Sequence, residues 1–157
     1  MFNRKHWKKS VIVVLSVLLV GGALGLLTKN VLLGQTAVGT KLHVDDMGIG
    51  WKSVGGPKRL AAAEVTVKDE FGNRINGALV EGNWSGCFSY ADSATTETVT
   101  FPDGTVVQGW ATIWADKPNS CWGKGCTWTF TVTKISKTGM TYDPTANIKT
   151  TASQPCH

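Results

Sequence analysis

The sequence predicts an all-β domain, a β-sandwich of about seven short strands, preceded by one transmembrane α-helix. Three observations support this prediction. A charge-free apolar run lies near the N-terminus, alternating apolar and polar residues recur between turn motifs, and no amphipathic helical repeat follows the run. The 157 residues, with 18 glycines and seven tryptophans, suit a single β-rich exported domain.

Residues 10–33 are predicted to form a transmembrane signal-anchor helix. The 19 residues between Lys9 and Lys29 carry no charge, and at about 1.5 Å per residue they match the hydrocarbon thickness of a bilayer. A cleaved secretory signal has the same general pattern, but its apolar core is shorter, and the small residues at 37–39 lie well beyond the run. An uncleaved anchor is therefore favoured.

The charges orient this helix. Of the net charge of +5, four cations lie in the basic segment 1–9, whereas residues 41–157 contain eleven basic and eleven acidic residues. Basic residues before a membrane helix indicate a cytoplasmic N-terminus and an exported C-terminal domain. The predicted membrane-interface residues are Arg4, Lys5, Trp7, Lys8, Lys9 and Lys29. A neutral domain without a basic stripe is not expected to bind nucleic acid.

Two glycines of the predicted helix have a spacing that favours close helix packing. Gly21 and Gly25 form a G-x-x-x-G pair, which allows another membrane helix to approach. They are the predicted helix-packing residues, and lipid-facing glycine is the alternative interpretation.

The exported part is interpreted as a linker over residues 34–44 and a domain over residues 45–157. Residues 63–68 alternate between apolar and polar side chains, residues 69–73 contain turn-forming residues, and residues 75–84 predict a second strand. These segments predict a hairpin.

Three further stretches predict the remaining strands. Residues 98–101 and 105–115 flank a Pro-Asp-Gly turn, and residues 127–133 place Trp128, Phe130 and Val132 on one face with threonines on the other. The last predicted strand covers residues 140–142, before Pro144 ends it.

Residues 65–86, 129–133 and 139–147, preceded by His43 and Trp51, carry a resemblance to a family. They resemble the bacterial immunoglobulin-like domains that are appended to secreted proteases and other exported proteins. The resemblance covers residues 41–147 and implies an immunoglobulin-like β-sandwich that serves as an accessory module. Combined with the anchor, it implies a protein of the bacterial inner membrane with a periplasmic or extracellular domain. A fold does not by itself imply a function.

All four cysteines lie on the predicted exported side, where disulfides form. The candidates are Cys87, Cys121, Cys126 and Cys156. Three pairings are open; because several strand ends should meet at one end of the sandwich, the four sulfurs are expected to cluster, and the pairing Cys121–Cys126 with Cys87–Cys156 is preferred. A zinc site with His157 is the alternative, but the paired C-x2-C spacing of common zinc sites is missing.

The tryptophans of the domain divide into two groups. Trp84 and Trp128 occupy alternating positions typical of a core. Trp110, Trp114 and Trp122 are predicted as possible interaction residues, because aromatic side chains are also enriched at binding surfaces.

No catalytic motif is present, and neither an enzyme activity nor a cofactor is predicted. One membrane span and one neutral domain indicate an accessory subunit that braces or covers a membrane-protein partner on the outer side. The alternative is a surface-displayed adhesion or glycan-binding module, in which exposed indoles of Trp110, Trp114 and Trp122 would stack on sugars.

Overall fold

The strands of the domain are joined by short connections and fall into two sheets. The computed structural model describes residues 39–120 and 125–156. The strands are β1 (Lys41–Ser53), β2 (Lys58–Asp69), β3 (Leu79–Gly86), β4 (Tyr90–Thr95), β5 (Glu97–Thr100), β6 (Val106–Trp114), β7 (Asn119–Ser120), β8 (Thr127–Ser136), β9 (Thr141–Tyr142) and β10 (Thr151–Pro155), with a 3₁₀ helix at Pro144–Ala146.

The larger sheet has the strand order β5-β6-β2-β1-β9, with β7 beside β2, and the smaller sheet has the order β10-β8-β3-β4. Neighbouring strands are antiparallel, except that β9 runs parallel to β1. The prediction of an all-β domain is therefore confirmed for the described part of the chain.

The core lies between the two sheets. It is formed by the side chains that alternate toward the inside along each strand. In β8, Trp128, Phe130 and Val132 are buried, and the threonines between them are at least partly exposed, as predicted. In β2, the inward side chains are small or β-branched, among them Ala63 and Val65. Because β2 has neighbours on both sides, it is the most continuously buried strand.

The predicted hairpin over residues 63–84 is wrong. After the turn at 69–73, the chain pairs with β2 only at the isolated bridge between Lys68 and Arg74, and β3 then joins the other sheet. Both sides of β2 are already occupied, by β1 and by β6. Alternation identified the strands, but it does not reveal which strand pairs with which.

A buried threonine stabilises the connection through which the chain passes from one sheet to the other. Thr96 precedes β5, and its hydroxyl donates to the carbonyl of Ile75 and accepts from the N–H of Ala78. Its own backbone N–H donates to the carbonyl of Ala78. These bonds satisfy polar groups of a connection whose Ile75 and Ala78 side chains belong to the core.

Two boundaries differ from the sequence predictions. Strand β1 begins at Lys41 rather than after a linker ending at residue 44, because Leu42 and Val44 enter the core. Strand β10 was not predicted; it pairs with β8, and its Ala152 is buried opposite Phe130. The predicted pair of strands around residues 102–104 is confirmed as the antiparallel pair β5 and β6.

The predicted membrane helix over residues 10–33 lies outside the described residues. Within residues 39–120 and 125–156, no helix is long and apolar enough to cross a membrane.

Candidate binding site

Three cysteine sulfurs meet at one end of the two sheets. The sulfur atoms of Cys87, Cys126 and Cys156 all lie within 4.8 Å of one another. Cys87 follows β3, Cys126 precedes β8, and Cys156 follows β10. These strands are neighbours in the smaller sheet, which explains the predicted clustering for these three residues. Cys121 lies outside the described residues.

The pairing of these cysteines differs from the preferred one. Cys87 is bonded to Cys126, with 5.3 Å between their Cα atoms. Gly86 lies opposite Trp128 in the β3–β8 ladder, and the Cys87 N–H donates to the carbonyl of Thr127. The register therefore brings Cys87 beside Cys126, so the expected pairs Cys121–Cys126 and Cys87–Cys156 are wrong.

Cys156 lies directly beside this disulfide. Its N–H donates to the carbonyl of Cys126 at 2.9 Å, and its side chain is buried. Cys156 is itself disulfide-bonded. The Cys87–Cys126 bond therefore joins the ends of β3 and β8, and disulfide-bonded sulfurs are not available as the thiolate ligands that zinc requires.

Trp84 and Trp128 are core residues, as predicted. Both are almost completely buried, and the Trp84 ring packs edge-to-face against Phe130 and Phe88. They form the aromatic part of the core beneath the disulfide end and have no solvent-facing surface for a ligand.

Trp110 and Trp114 lie on the opposite side of the larger sheet. Along β6, Ala111 and Ile113 face the core, so both tryptophans face outward with Thr112 between them. The Trp110 ring packs edge-to-face on Phe101, and its N–H donates to the Thr112 hydroxyl. Trp114 is 41% exposed. Trp122, the third predicted interaction residue, lies outside the described residues.

Each of the two exposed tryptophans of the larger sheet carries a cation over its ring. Lys52 Nζ lies 4.2 Å from the centroid of the Trp114 ring, and Arg59 Cζ lies 4.7 Å from the centroid of the Trp51 ring. Such contacts are favourable because the ring face is electron-rich. This sheet therefore already uses indole faces to hold cations.

The outer face also has two glycines that the domain itself does not require. Gly48 and Gly50 lie inside β1, and neither has a positive φ. A Cβ on Gly48 would meet nothing within 4 Å, and one on Gly50 would meet only the carboxyl of Glu64, at 3.5 Å from Oε1. Glycine weakens a strand, and in a strand it often marks the close approach of a ligand.

Glu64 occupies the centre of this bare area. In the sheet register it lies between Gly48 of β1 and Thr112 of β6, with Trp110 and Trp114 two residues to either side of Thr112. Among the described residues, the carboxyl group of Glu64 has no hydrogen-bond donor and no ion-pair partner. Burial without a compensating partner raises the pKa of its carboxyl above the ordinary value.

A cleft of about 180 Å³ opens beside Glu64. It is lined by Asp46, Met47, Gly48, Glu64, Thr66, Trp110 and Lys149. Asp46 accepts from the Met47 N–H, and Lys149 donates to the Met47 carbonyl while lying 3.9 Å from Asp46. These two charges are thus already engaged, whereas Glu64 is not.

We call the group formed by Gly48, Gly50, Glu64, Trp110 and Trp114 the Glu64 site. Its two tryptophans were predicted from the sequence, whereas Glu64 and the glycines were not, because residues 48–50 do not show the alternation of a strand. Glycines at alternating positions of a strand would have been the signal.

Two other carboxylates accept hydrogen bonds from the first described residues of the domain. Asp69 and Glu70, at the end of β2, accept hydrogen bonds from Gly39, Thr40 and Lys41. The Asp69 carboxyl is fully buried; desolvation opposes its ionisation, but hydrogen bonds from Asn73, Gly39 and Phe71 hold its pKa below the ordinary value. Both groups have structural partners and are not candidates for ligand binding.

The predicted membrane residues lie outside the described part of the chain. They are Arg4, Lys5, Trp7, Lys8, Lys9, Gly21, Gly25 and Lys29.

Comparisons of the chain with family models, curated proteins and solved structures find no match.

Proposed function

We propose that this chain is a non-catalytic accessory subunit of a bacterial membrane-protein complex. One N-terminal helix over residues 10–33 holds it in the inner membrane with its N-terminus in the cytoplasm. The exported domain is an immunoglobulin-like β-sandwich that braces or covers the outer face of the partner. The lack of charge over the apolar run and the basic segment 1–9 support the anchor and its orientation.

The strand orders support the immunoglobulin-like assignment. In immunoglobulin domains one sheet has the order A-B-E-D and the other the order C-F-G. Strands β1, β2, β6 and β5 follow the first order, strands β3, β8 and β10 follow the second, and β4 is an additional strand beside C. The buried Trp84 on the third strand corresponds to the core tryptophan of strand C.

The disulfide departs from the immunoglobulin pattern. Antibody domains join strands B and F across the core, whereas Cys87–Cys126 joins the end of β3 to the start of β8 within one sheet. The centre of this core therefore contains small and β-branched side chains such as Ala63 and Val65 in place of a disulfide.

The observation that carries the proposal is the outward position of Trp114 on the larger sheet. A 41% exposed indole on the same strand face as Trp110 forms an aromatic surface of the kind enriched at the centres of protein interfaces. Within the described residues, this surface contains one uncompensated carboxylate, Glu64, and no nucleophile paired with a base.

Photo-crosslinking in native membranes tests this proposal. A photoreactive phenylalanine analogue at position 114 of the full-length chain is expected to form one dominant adduct with a membrane protein. The same analogue at Phe71, which is 63% exposed at a turn after β2, is the matched control and is expected to give none. Detergent-extracted protein that is only a monomer, with no adduct at position 114, would show that the proposal is wrong.

A glycan-binding module remains the second candidate, because Trp110 and Trp114 both face outward and indoles stack on sugar rings. Against it, Lys52 already covers one face of the Trp114 ring. Retention of the wild-type chain on a glycan array, with loss in Trp114→Ala, would favour this candidate over the first.

A further inference from the structure

We infer that the Glu64 site binds an organic cation, namely the guanidinium or ammonium group of a basic side chain on the protein partner. This inference rests on the proposed accessory function, since it identifies the chemistry by which that partner is recognised. The binding chemistry of the site can be tested without knowing which protein the partner is.

The first support is the shape of the site. Gly48 and Gly50 leave the outer face of β1 bare next to a carboxylate, although nothing in the described domain requires glycine there. The resulting cleft of about 180 Å³ is open to solvent on the outer face of the sheet. A Cβ at position 50 would lie 3.5 Å from Glu64 Oε1, so glycine there leaves the carboxylate open on its β1 side.

The second support is the unpaired charge. The carboxyl group of Glu64 is partly buried and has no hydrogen-bond or ion-pair partner within the described domain. A buried charge without a partner is unfavourable, and a cationic ligand removes that cost by pairing with the carboxylate. The nearby Lys52 lies over Trp114 and the nearby Lys149 lies against Met47 and Asp46, so neither supplies the missing charge.

The third support is the aromatic wall. Trp110 and Glu64 both line the cleft, and a guanidinium group is able to contact an aromatic ring while it donates hydrogen bonds to a carboxylate. The pairs Lys52–Trp114 and Arg59–Trp51 show the same type of contact within this sheet.

The test uses the full-length protein in detergent micelles and arginine amide as the probe. Titration is followed by the NMR signals of the Trp110 and Trp114 indole N–H groups. We expect saturable shifts of both signals with arginine amide and at least a tenfold weaker effect with citrulline amide, which has nearly the same shape but no positive charge on its side chain.

Two variants locate the effect. Glu64→Gln is expected to weaken binding at least tenfold, whereas Glu81→Gln, on the outer face of the other sheet, should leave it unchanged. Gly48→Val fills the bare area and is expected to abolish binding while its thermal unfolding temperature stays at or above that of the wild type. If Gly48→Val binds the probe normally, the inference is wrong.

The pH dependence provides a further readout. Only ionised Glu64 attracts a cation, so affinity should fall as the pH drops through the pKa of this carboxyl, which burial raises above the ordinary glutamate value. Among the described residues, the other charged groups near the site are Asp46 and Lys149, which line the cleft, Lys52, which lies over Trp114, and Glu97, which is opposite Trp110 in the β5–β6 pair. In Glu64→Gln the residual binding should lose this step.

The outcome separates this inference from the proposed function. Crosslinking at position 114 without any response to arginine amide would overturn the cation site and leave the accessory function in place. Equal shifts with citrulline amide, or stronger shifts with neutral N-acetylglucosamine, would also overturn the cation site. Binding of arginine amide without any crosslink would contradict the accessory function and the assignment of the cation to a protein partner, and it would leave only the cation site itself.

Discussion

Asp69 lies in an environment unlike that of an ordinary surface carboxylate. Its side chain has no solvent exposure, and it accepts from the backbone N–H groups of Gly39, Phe71 and Asn73 and from the Asn73 side chain. One carboxylate therefore organises both the turn after β2 and the entry of the chain into β1. Loss of its charge weakens every one of these bonds.

Replacement of Asp69 is expected to produce a pH-dependent loss of stability. The pKa of Asp69 is lower in the folded state, so its contribution is present above the ordinary aspartate pKa of 3.8 and is lost as the pH falls below that value. Asp69→Asn should lower the free energy of unfolding by about 2 kcal/mol at pH 7, and this difference should shrink between pH 4 and pH 2.

Urea denaturation of the full-length chain in mild detergent, at a series of pH values, measures this difference. Asp116→Asn is the matched control because Asp116 is exposed, and its effect should stay within about 0.5 kcal/mol at every pH. A constant effect of Asp69→Asn down to pH 2 would contradict the assigned role.

Glycines of this domain differ sharply in what they tolerate. Gly86 has a φ of 90°, and a Cβ there would lie only 1.8 Å from the Thr127 carbonyl oxygen, so Gly86→Ala should cost about 2–4 kcal/mol. Gly48→Ala meets open space and should raise stability by about 0.5–1 kcal/mol. Thermal denaturation of both variants checks this contrast, and a destabilised Gly48→Ala would mean that the domain itself requires this glycine.

At the scale of elements, the pair β3–β8 is held by both register and covalent chemistry. The ladder runs from Leu79 opposite Ser136 to Gly86 opposite Trp128, and the Cys87–Cys126 bond closes its end. This pair also carries Trp84 and Phe130, which contact each other in the core.

Removal of this disulfide should destabilise the domain without unfolding it. The bond closes a loop with a sequence separation of 39 residues, for which chain-entropy reasoning gives about 3–4 kcal/mol. The double variant Cys87→Ala/Cys126→Ala should therefore unfold at lower urea concentration with the same β-sheet circular dichroism at 25 °C. A change below about 1 kcal/mol would show that β-ladder contacts alone set the register.

The success of element prediction depended on how local each signal is. The alternation of β8 and the turn between β5 and β6 depend only on residues that are adjacent in the sequence, and both predictions were confirmed. The hairpin over residues 63–84 failed because β6, from a later part of the chain, takes the place beside β2. The start of β1 was misplaced because glycines obscure its alternation, and β10 was missed because its short polar residues obscure the alternation there.

For the whole molecule, the decisive prediction concerns membrane topology. With residues 10–33 as an uncleaved anchor, the full-length chain should remain in the membrane pellet after alkaline carbonate extraction, and an alkaline phosphatase fusion at residue 157 should be active. Reversal of the charge at Arg4, Lys5, Lys8 and Lys9 should reduce that activity several-fold, because the basic segment sets the orientation. Release of a shortened chain into the soluble fraction would indicate a cleaved signal instead.

The candidate site was predictable only in part. Trp110 and Trp114 could be assigned to one face of a strand because β6 alternates locally. Glu64 could not be identified as their neighbour, because it is 46 residues before Trp110 in the chain and the two meet only through the β2–β6 register. The same holds for Gly48, which reaches Glu64 only through the register of β1 and β2.

The sequence by itself determined the all-β class, the core positions of Trp84 and Trp128, the placement of Trp110 and Trp114 on one common strand face, and the gathering of Cys87, Cys126 and Cys156 at one end of the domain. These features follow from alternation and from strand ends, which are properties of short stretches. Only the tertiary structure decided the strand order, the Cys87–Cys126 pairing and the composition of the Glu64 site. Each of these depends on register between distant strands, and register is set by the packing of both sheets on a shared core rather than by any one segment.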